Sequence, residues 1–158
     1  MALHLCTVEW QRGTQPFTDN HYSRAHQWRF DGGAVVAASS SPHSVRVPFS
    51  DPAGVDPEEA LLAAVSSCHM LWFLSLAAQE GLVVDRYQDA AEAVLGDIGG
   101  GRHAITLVTL RPLLAFSGDR LPDHAQVEAL HHAAHERCDI ANSIRAEVRI
   151  EGSCQRAA

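Results

Sequence analysis

The sequence predicts an α+β fold. Short stretches of period-two alternation occupy the first third of the chain, a long apolar run follows a strong helix start at Asp56, and alternation returns after Gly81 around a second helical segment. With 158 residues, 46% hydrophobic and 20% charged, the chain has the size and composition of one globular domain, so residues 1–158 are read as a single domain. No internal repeat or low-complexity segment divides it, and the Ala-Ser tract from Ala37 to Pro42 reads as a loop.

The elements follow in order. Leu3 to Trp10, Tyr22 to Phe30 and Val35 to Ala38 read as strands, with Asp31-Gly32-Gly33 as a hairpin turn between the last two. Val45 to Phe49 reads as a further extended piece, where Pro48 suits an edge because it has no N–H to donate. Asp56-Pro57-Glu58-Glu59 is a helix start: Asp56 can cap, Pro57 fits the first turn, and Glu59 can reach back to the cap. That helix runs to about Gly81, and its middle, Cys68 to Leu74, is apolar on nearly every face, as in a helix covered all round. Tyr87 to Leu95 and Ile105 to Phe116 read as a hairpin across the glycine-rich turn Gly96 to Gly101. Pro122 and Asp123 open a second helix lasting to about Asp139. Ile144 to Ile150 follows as a strand, with Ile144, Ala146, Val148 and Ile150 facing in and Arg145, Glu147 and Arg149 facing out.

Charge and composition narrow the function classes. A formal net charge of -7 without a Lys/Arg cluster argues against nucleic-acid and anionic-membrane partners. Met1 to Thr14 lacks the basic start, apolar run and small-residue cleavage site of a secretory leader, so the cytoplasm is the expected location. The apolar stretch Leu61 to Ala78 is interrupted by Ser66, Ser67, Cys68 and His69, and falls short of the roughly 20 apolar residues that span a bilayer. The cysteines at 6, 68, 138 and 154 form no CxxC pair, and a reducing compartment leaves them as reactive or buried thiols.

Asp56-Pro57-Glu58-Glu59 followed by Ala-Leu-Leu-Ala-Ala-Val-Ser-Ser-Cys68, with Cys138-Asp-Ile-Ala-Asn-Ser-Ile ending the second helix, resembles the OsmC/Ohr family of organic hydroperoxide reductases. Tyr22-Ser23-Arg24 and the run Cys68 to Phe73 resemble an OsmC-like branch of that family. The resemblance covers nearly the whole chain. It implies antiparallel sheets wrapped around two central helices in an intertwined homodimer with sites at the interface. It also implies Cys68 as the peroxidatic cysteine, Cys138 as the resolving cysteine and Glu58 as the active-site glutamate. The active-site arginine falls on Arg24 by the pattern of one branch and on Arg46 by that of the other. Arg24 is favoured, because the spacing from Arg46 to Glu58 is two residues longer than the second pattern. The partners implied are an organic hydroperoxide and an external dithiol reductant; no cofactor and no metal is called for.

The chemistry makes demands of its own. A thiolate, not a thiol, attacks the O–O bond, and a cysteine near its usual pKa of about 8.5 is only a few per cent ionised at neutral pH. Cys68 lies about three turns inside its helix, beyond reach of the helix dipole, so a cation must come from elsewhere. A guanidinium stays charged when buried and can orient peroxide oxygens. Glu58 precedes Cys68 by ten residues, a rise of about 15 Å along one helix, so a Glu58 that anchors the arginine beside Cys68 belongs to a second subunit. Cys138, near a helix C-terminus where the dipole disfavours a thiolate, suits resolution better than attack.

Each feature also has a plainer reading. A cysteine on an apolar helix is often a small buried hydrophobe, first-turn glutamates serve the helix dipole, and strand arginines are often solvated. Met70, Leu71, Trp72 and Phe73 favour an organic substrate if they line a pocket, with Trp72 and Phe73 as the substrate-binding candidates, but core packing would explain them as well. Cys6 and Cys154 read as structural or incidental. A different function class comes from His131, His135 and Cys138 at i, i+4 and i+7, with His132 adjacent and His69 as a possible fourth ligand: a zinc-binding module. A non-catalytic dimer that keeps the fold is a third.

Overall fold

The computed structural model describes residues 1–156, with side chains described through Gly152; Cys154 therefore lies outside the described side chains. The chain falls into two compact units, residues 1–60 and residues 61–158.

The first unit is built on one antiparallel sheet of β1 (Cys6–Glu9), β2 (His26–Phe30) and β3 (Val35–Ala38), in that order. The predicted hairpin between β2 and β3 is present, with Gly33 at φ 88° supplying a left-handed turn residue. β1 and β2 are shorter than the alternation predicts, because residues 11–25 form a loop held by its own hydrogen bonds and aromatic contacts. Val45 to Phe49 is not a strand: the N–H groups of Val45 and Phe49 are taken by Ser41 and Arg46 carbonyls in tight turns. Beyond β3 the chain doubles back so closely that a Cβ on Gly54 would lie 2.9 Å from the Ala38 carbonyl carbon, which is why only glycine fits there.

α1 (Pro57–Gln79) starts with the reciprocal cap its sequence predicts: the Glu59 N–H donates to the Asp56 carboxylate at 2.8 Å, and the Asp56 N–H to Glu59 at 3.1 Å. By length and composition it is apolar enough to cross a membrane, and only 28% of that apolar stretch is buried. The helix is therefore not covered all round, as the sequence suggested. Val65, His69, Phe73, Leu76 and Ala77 face the core, while Ala63, Ser67, Leu71, Ser75 and Ala78 form an open stripe at three- and four-residue spacing.

The predicted two-strand hairpin after α1 is instead four strands. β4 (Val83–Asp89), β5 (Glu92–Asp97), β6 (His103–Leu110) and β7 (Pro112–Ser117) break at residues 90–91 and at Arg111 and change sheets there. The cause is local: the Asp89 carboxylate accepts the Arg111 N–H at 2.6 Å and the Ser66 hydroxyl, and Pro112 can donate no ladder bond. β5 and β6 keep the glycine turn, where Gly99, Gly100 and Gly101 all have positive φ. α2 (His124–Arg137) opens with a capping box between Asp123 and Gln126. β8 (Glu147–Ile150) keeps the predicted in–out alternation, and β9 (Ser153–Arg156) adds a strand the sequence did not suggest. One sheet runs β4-β7-β9 and the other β5-β6-β8; β8 and β9 join the antiparallel pairs in parallel.

Two apolar clusters hold this unit. Phe73, Leu76 and Ala77 of α1 pack with Leu114 and Phe116 of β7 and with α2 through Val127, Leu130 and Ala134. Val65 packs with Val108 and Leu110 of β6 under Ile140, Ile144 and Val148. α1 serves both clusters, which fixes the face it turns inward.

Candidate active site: a cysteine pair and an arginine cavity

α1 and α2 bring Cys68 and Cys138 together as neighbours, and neither is in a disulfide. Cys138 is the C-cap of α2, wholly buried, with its N–H donating to the His135 carbonyl at 3.2 Å. Its sulfur accepts the Ala141 N–H at 3.3 Å, and its S–H points toward the Val65 carbonyl at 4.0 Å. Burial, and then the neighbouring Cys68, push the Cys138 thiol up to about 11. It is thus protonated near neutral pH, which makes it a weak nucleophile. Cys68 is half-buried, so it is the more accessible of the two, and Cys6 is exposed on β1.

The two candidate arginines differ sharply. Arg24 lines a cavity of about 470 Å³ in the first unit, together with Tyr22, His26, Ser40 and the first-turn Glu58 of α1. Its guanidinium donates to the Asn20 carbonyl at 3.1 Å, to the Asn20 side chain at 2.7 Å and to the Tyr22 carbonyl, and lies 3.9 Å from the Tyr22 ring centre. Arg46 is exposed, 5.7 Å from the Phe49 ring, and is not among the residues lining that cavity. The cavity thus brings Arg24 and Glu58 together and leaves Arg46 aside.

Trp72 and Phe73 both meet the core of their own unit, to different depths. Phe73 is fully buried in the core and Trp72 packs against the same cluster with Arg137 5.8 Å from its ring. The reason is helical phase: Phe73 follows Val65 and His69 at four-residue steps on the inward face of α1.

The histidines make a buried pair instead of a metal centre. His69 Nε2 and His131 Nδ1 share a hydrogen bond at 3.0 Å, with the rings nearly parallel. Burial lowers both to about 4, helped at His69 by His131 and His135, so the pair is neutral at neutral pH. Cys138 leaves the helix before its i+7 position could matter, and its sulfur is turned to Cys68 and Val65. Among the described residues no group of three or more His, Cys, Asp or Glu side chains is placed to hold a metal ion. The sequence treats His69 only as a possible ligand, Tyr22 only as part of a motif, and passes over Trp10 and Phe17; all three aromatic residues line the arginine cavity. The available signal was three aromatic residues within thirteen positions of an otherwise polar loop.

The model of the OsmC-like protein family matches residues 50–153. An OsmC-like protein of unknown function from Vibrio cholerae shares 51% identity with a TM-score of 0.94, covering 97% of this chain and 100% of that one. An organic hydroperoxide resistance protein from Elizabethkingia anophelis is similar in fold at 13% identity, with a TM-score of 0.71 over 99% of this chain and 98% of that one. The organic hydroperoxide resistance protein OhrB of Bacillus subtilis shares the fold at 18% identity, with a TM-score of 0.64 over 98% of each chain. None of the curated proteins matches the chain. Matched by the family model over more than half its length and by the Vibrio cholerae protein over nearly all of it, this chain belongs to the OsmC-like protein family.

Proposed function

We propose that the protein is a thiol-dependent peroxidase that reduces organic hydroperoxides to alcohols. The observation that carries the reading is the adjacency of a half-buried Cys68 to a buried, protonated Cys138. The Cys68 thiolate attacks the outer oxygen of the hydroperoxide. The O–O bond breaks, the alkoxide takes a proton and leaves as the alcohol, and Cys68 becomes a sulfenic acid. The Cys138 thiol then attacks that sulfur, water leaves, and a Cys68–Cys138 disulfide forms. An external dithiol supplies the two electrons that return both thiols, which suits a reducing compartment such as the cytoplasm.

Arg24, in a cavity that Glu58 also lines, is the cation assigned to the thiolate. Glu58 lies about 15 Å from Cys68 along α1, so the reading takes this pair from a second copy in a homodimer. The open stripe of small residues and Leu71 on α1 supports such a pairing, since a helix this apolar and only 28% buried is stabilised by a partner surface. The E. anophelis and B. subtilis proteins of the same fold, described as organic hydroperoxide resistance proteins, support the substrate class.

The test is peroxide consumption with a dithiol, comparing tert-butyl hydroperoxide and hydrogen peroxide on wild type and on Cys68→Ser. The reading expects the organic peroxide to be the better substrate and the substitution to lower turnover by at least about 10³-fold, as loss of a nucleophile does. Unchanged turnover in Cys68→Ser would sink it.

A further inference from the structure

A second cavity, of about 710 Å³, lies within residues 61–158, walled by α2, β8 and the two residues after β8. Its apolar floor is Val127 of α2 with Val148 and Ile150 of β8. Its charge has one sign. Glu128 and Glu151 line it, and among the described residues no Lys or Arg does. Arg111 reaches Glu151 at 3.1 Å but is shared with Glu92 at 3.0 Å, and the contact of Glu128 is with the exposed His124 at 3.4 Å, so excess negative charge remains.

One buried group on this cavity is left unused. His131, 6% exposed, is held by Phe73, with ring centres 4.4 Å apart, and by the His69 hydrogen bond at its Nδ1. Its Nε2 has no hydrogen-bond partner among the described residues, and a buried polar atom left so is costly. Nε2 lies against Gly152 on the cavity wall, where a Cβ would come within 3.0 Å of it and 3.2 Å of the Pro112 ring. The Gly152 backbone is not left-handed, so the glycine serves to keep the space beside Nε2 clear. The bond to His69 lets the ring adapt to what it meets. Two neutral imidazoles joined by one hydrogen bond share one proton in it, so an Nε2 that accepts from a ligand puts the His131 proton on Nδ1 and the His69 proton on the far Nδ1 of that ring. His69 directly follows Cys68 in α1.

We infer that this cavity binds a small primary amine in its ammonium form, its charge met by Glu128 and Glu151, one N–H donated to His131 Nε2, and its apolar body laid on Val127, Val148 and Ile150. An anion would meet two carboxylates, and among the described residues no three His, Cys, Asp or Glu side chains are placed to hold a metal ion. An ammonium with an apolar body satisfies both the floor and the charge, and the volume is that of a small-molecule site. The site is independent of the peroxidase reading, although the bound amine sets the tautomer of the residue next to Cys68.

The test is NMR titration of the reduced protein, isotope-labelled at the histidine nitrogens and kept in a metal chelator. Phenethylamine is the probe, with neutral phenethyl alcohol and anionic hydrocinnamate as controls. The amine should bind saturably and at least about ten-fold more tightly than the alcohol, the scale of one charge-assisted hydrogen bond, with hydrocinnamate weakest. The bound state should show His131 Nε2 as an accepting nitrogen and His69 Nδ1 as a protonated one. Glu128→Gln, at an exposed position, should lower the affinity for the amine about three-fold and leave that for the alcohol unchanged. Absence of saturable amine binding, equal affinity for amine and alcohol, an amine affinity unmoved in Glu128→Gln, or a His131 Nε2 still protonated in the bound state each overturns the inference. The titration uses no peroxide, so failure of the peroxidase reading leaves its result standing.

Discussion

The cysteine pair and the arginine cavity are opposite environments within one chain. Residues 61–158 hold Cys138 fully buried among apolar side chains, where its thiol rises to about 11. Residues 1–60 hold Arg24 in an open cavity whose guanidinium is tied down by Asn20 and Tyr22. Burial that keeps a thiol protonated protects it from adventitious oxidation and makes it slow to attack a peroxide. A fixed cation supplies what such surroundings lack, and it has no thiol in its own unit other than the exposed Cys6 on β1. Each region is chemically incomplete, and the proposed enzyme depends on both.

The sharpest way to break the first region is to empty its core. Phe73→Ala removes a fully buried ring from the cluster shared by α1, β7 and α2, and should cost about 3–5 kcal/mol, read as a large drop in the urea midpoint. A loss under about 1 kcal/mol would mean that Phe73 borders a pocket after all.

The second region is tested by its charge. Arg24→Ala should lower kcat/KM about 10²-fold, the scale of losing one preorganised electrostatic contact, while Arg46→Ala, on an exposed turn, should change it little. The reverse order would move the site to Arg46. Arg24→Lys should recover only part of the loss, because a point charge does not reproduce a planar fork of donors.

A smaller effect separates the regions by pH. His69 and His131 are held near 4 by burial, whereas an unfolded chain protonates them at about 6.5. Below about pH 6.5 the unfolded state therefore binds more protons, and stability falls as pH drops toward 4. The urea midpoint should decline between about pH 7 and about pH 5, and less steeply in His131→Phe. Asp89 and His135 also act on His69, in opposite senses, so the His131 variant is the cleaner control. A midpoint that stays flat would show that the pair is solvated.

Much of this was legible in the sequence, and the exceptions have physical causes. The α1 start could be read because Asp56 and Glu59 carry the whole capping box locally, and β8 because its alternation is strict. The breaks at residues 90–91 and Arg111 were not legible, since they depend on Asp89 accepting a hydrogen bond from a residue 22 positions away. β9 pairs in parallel with β7, a long-range choice that leaves little local trace. The site divides in the same way. Cys68 and Cys138 sit in recognisable motifs, whereas Trp10, Phe17 and Tyr22 gain meaning only when a loop folds them beside Arg24. Phe73 proved to be core because apolar composition does not reveal the phase of a helix that is apolar nearly all round.

The most direct measurement is peptide mapping after the fully reduced protein meets one equivalent of cumene hydroperoxide. The proposed chemistry predicts a Cys68–Cys138 cross-link, reversed by a dithiol and absent from Cys68→Ser, with Cys6 still free. Recovery of Cys68 and Cys138 as unmodified thiols, or oxidation confined to Cys6, would contradict it.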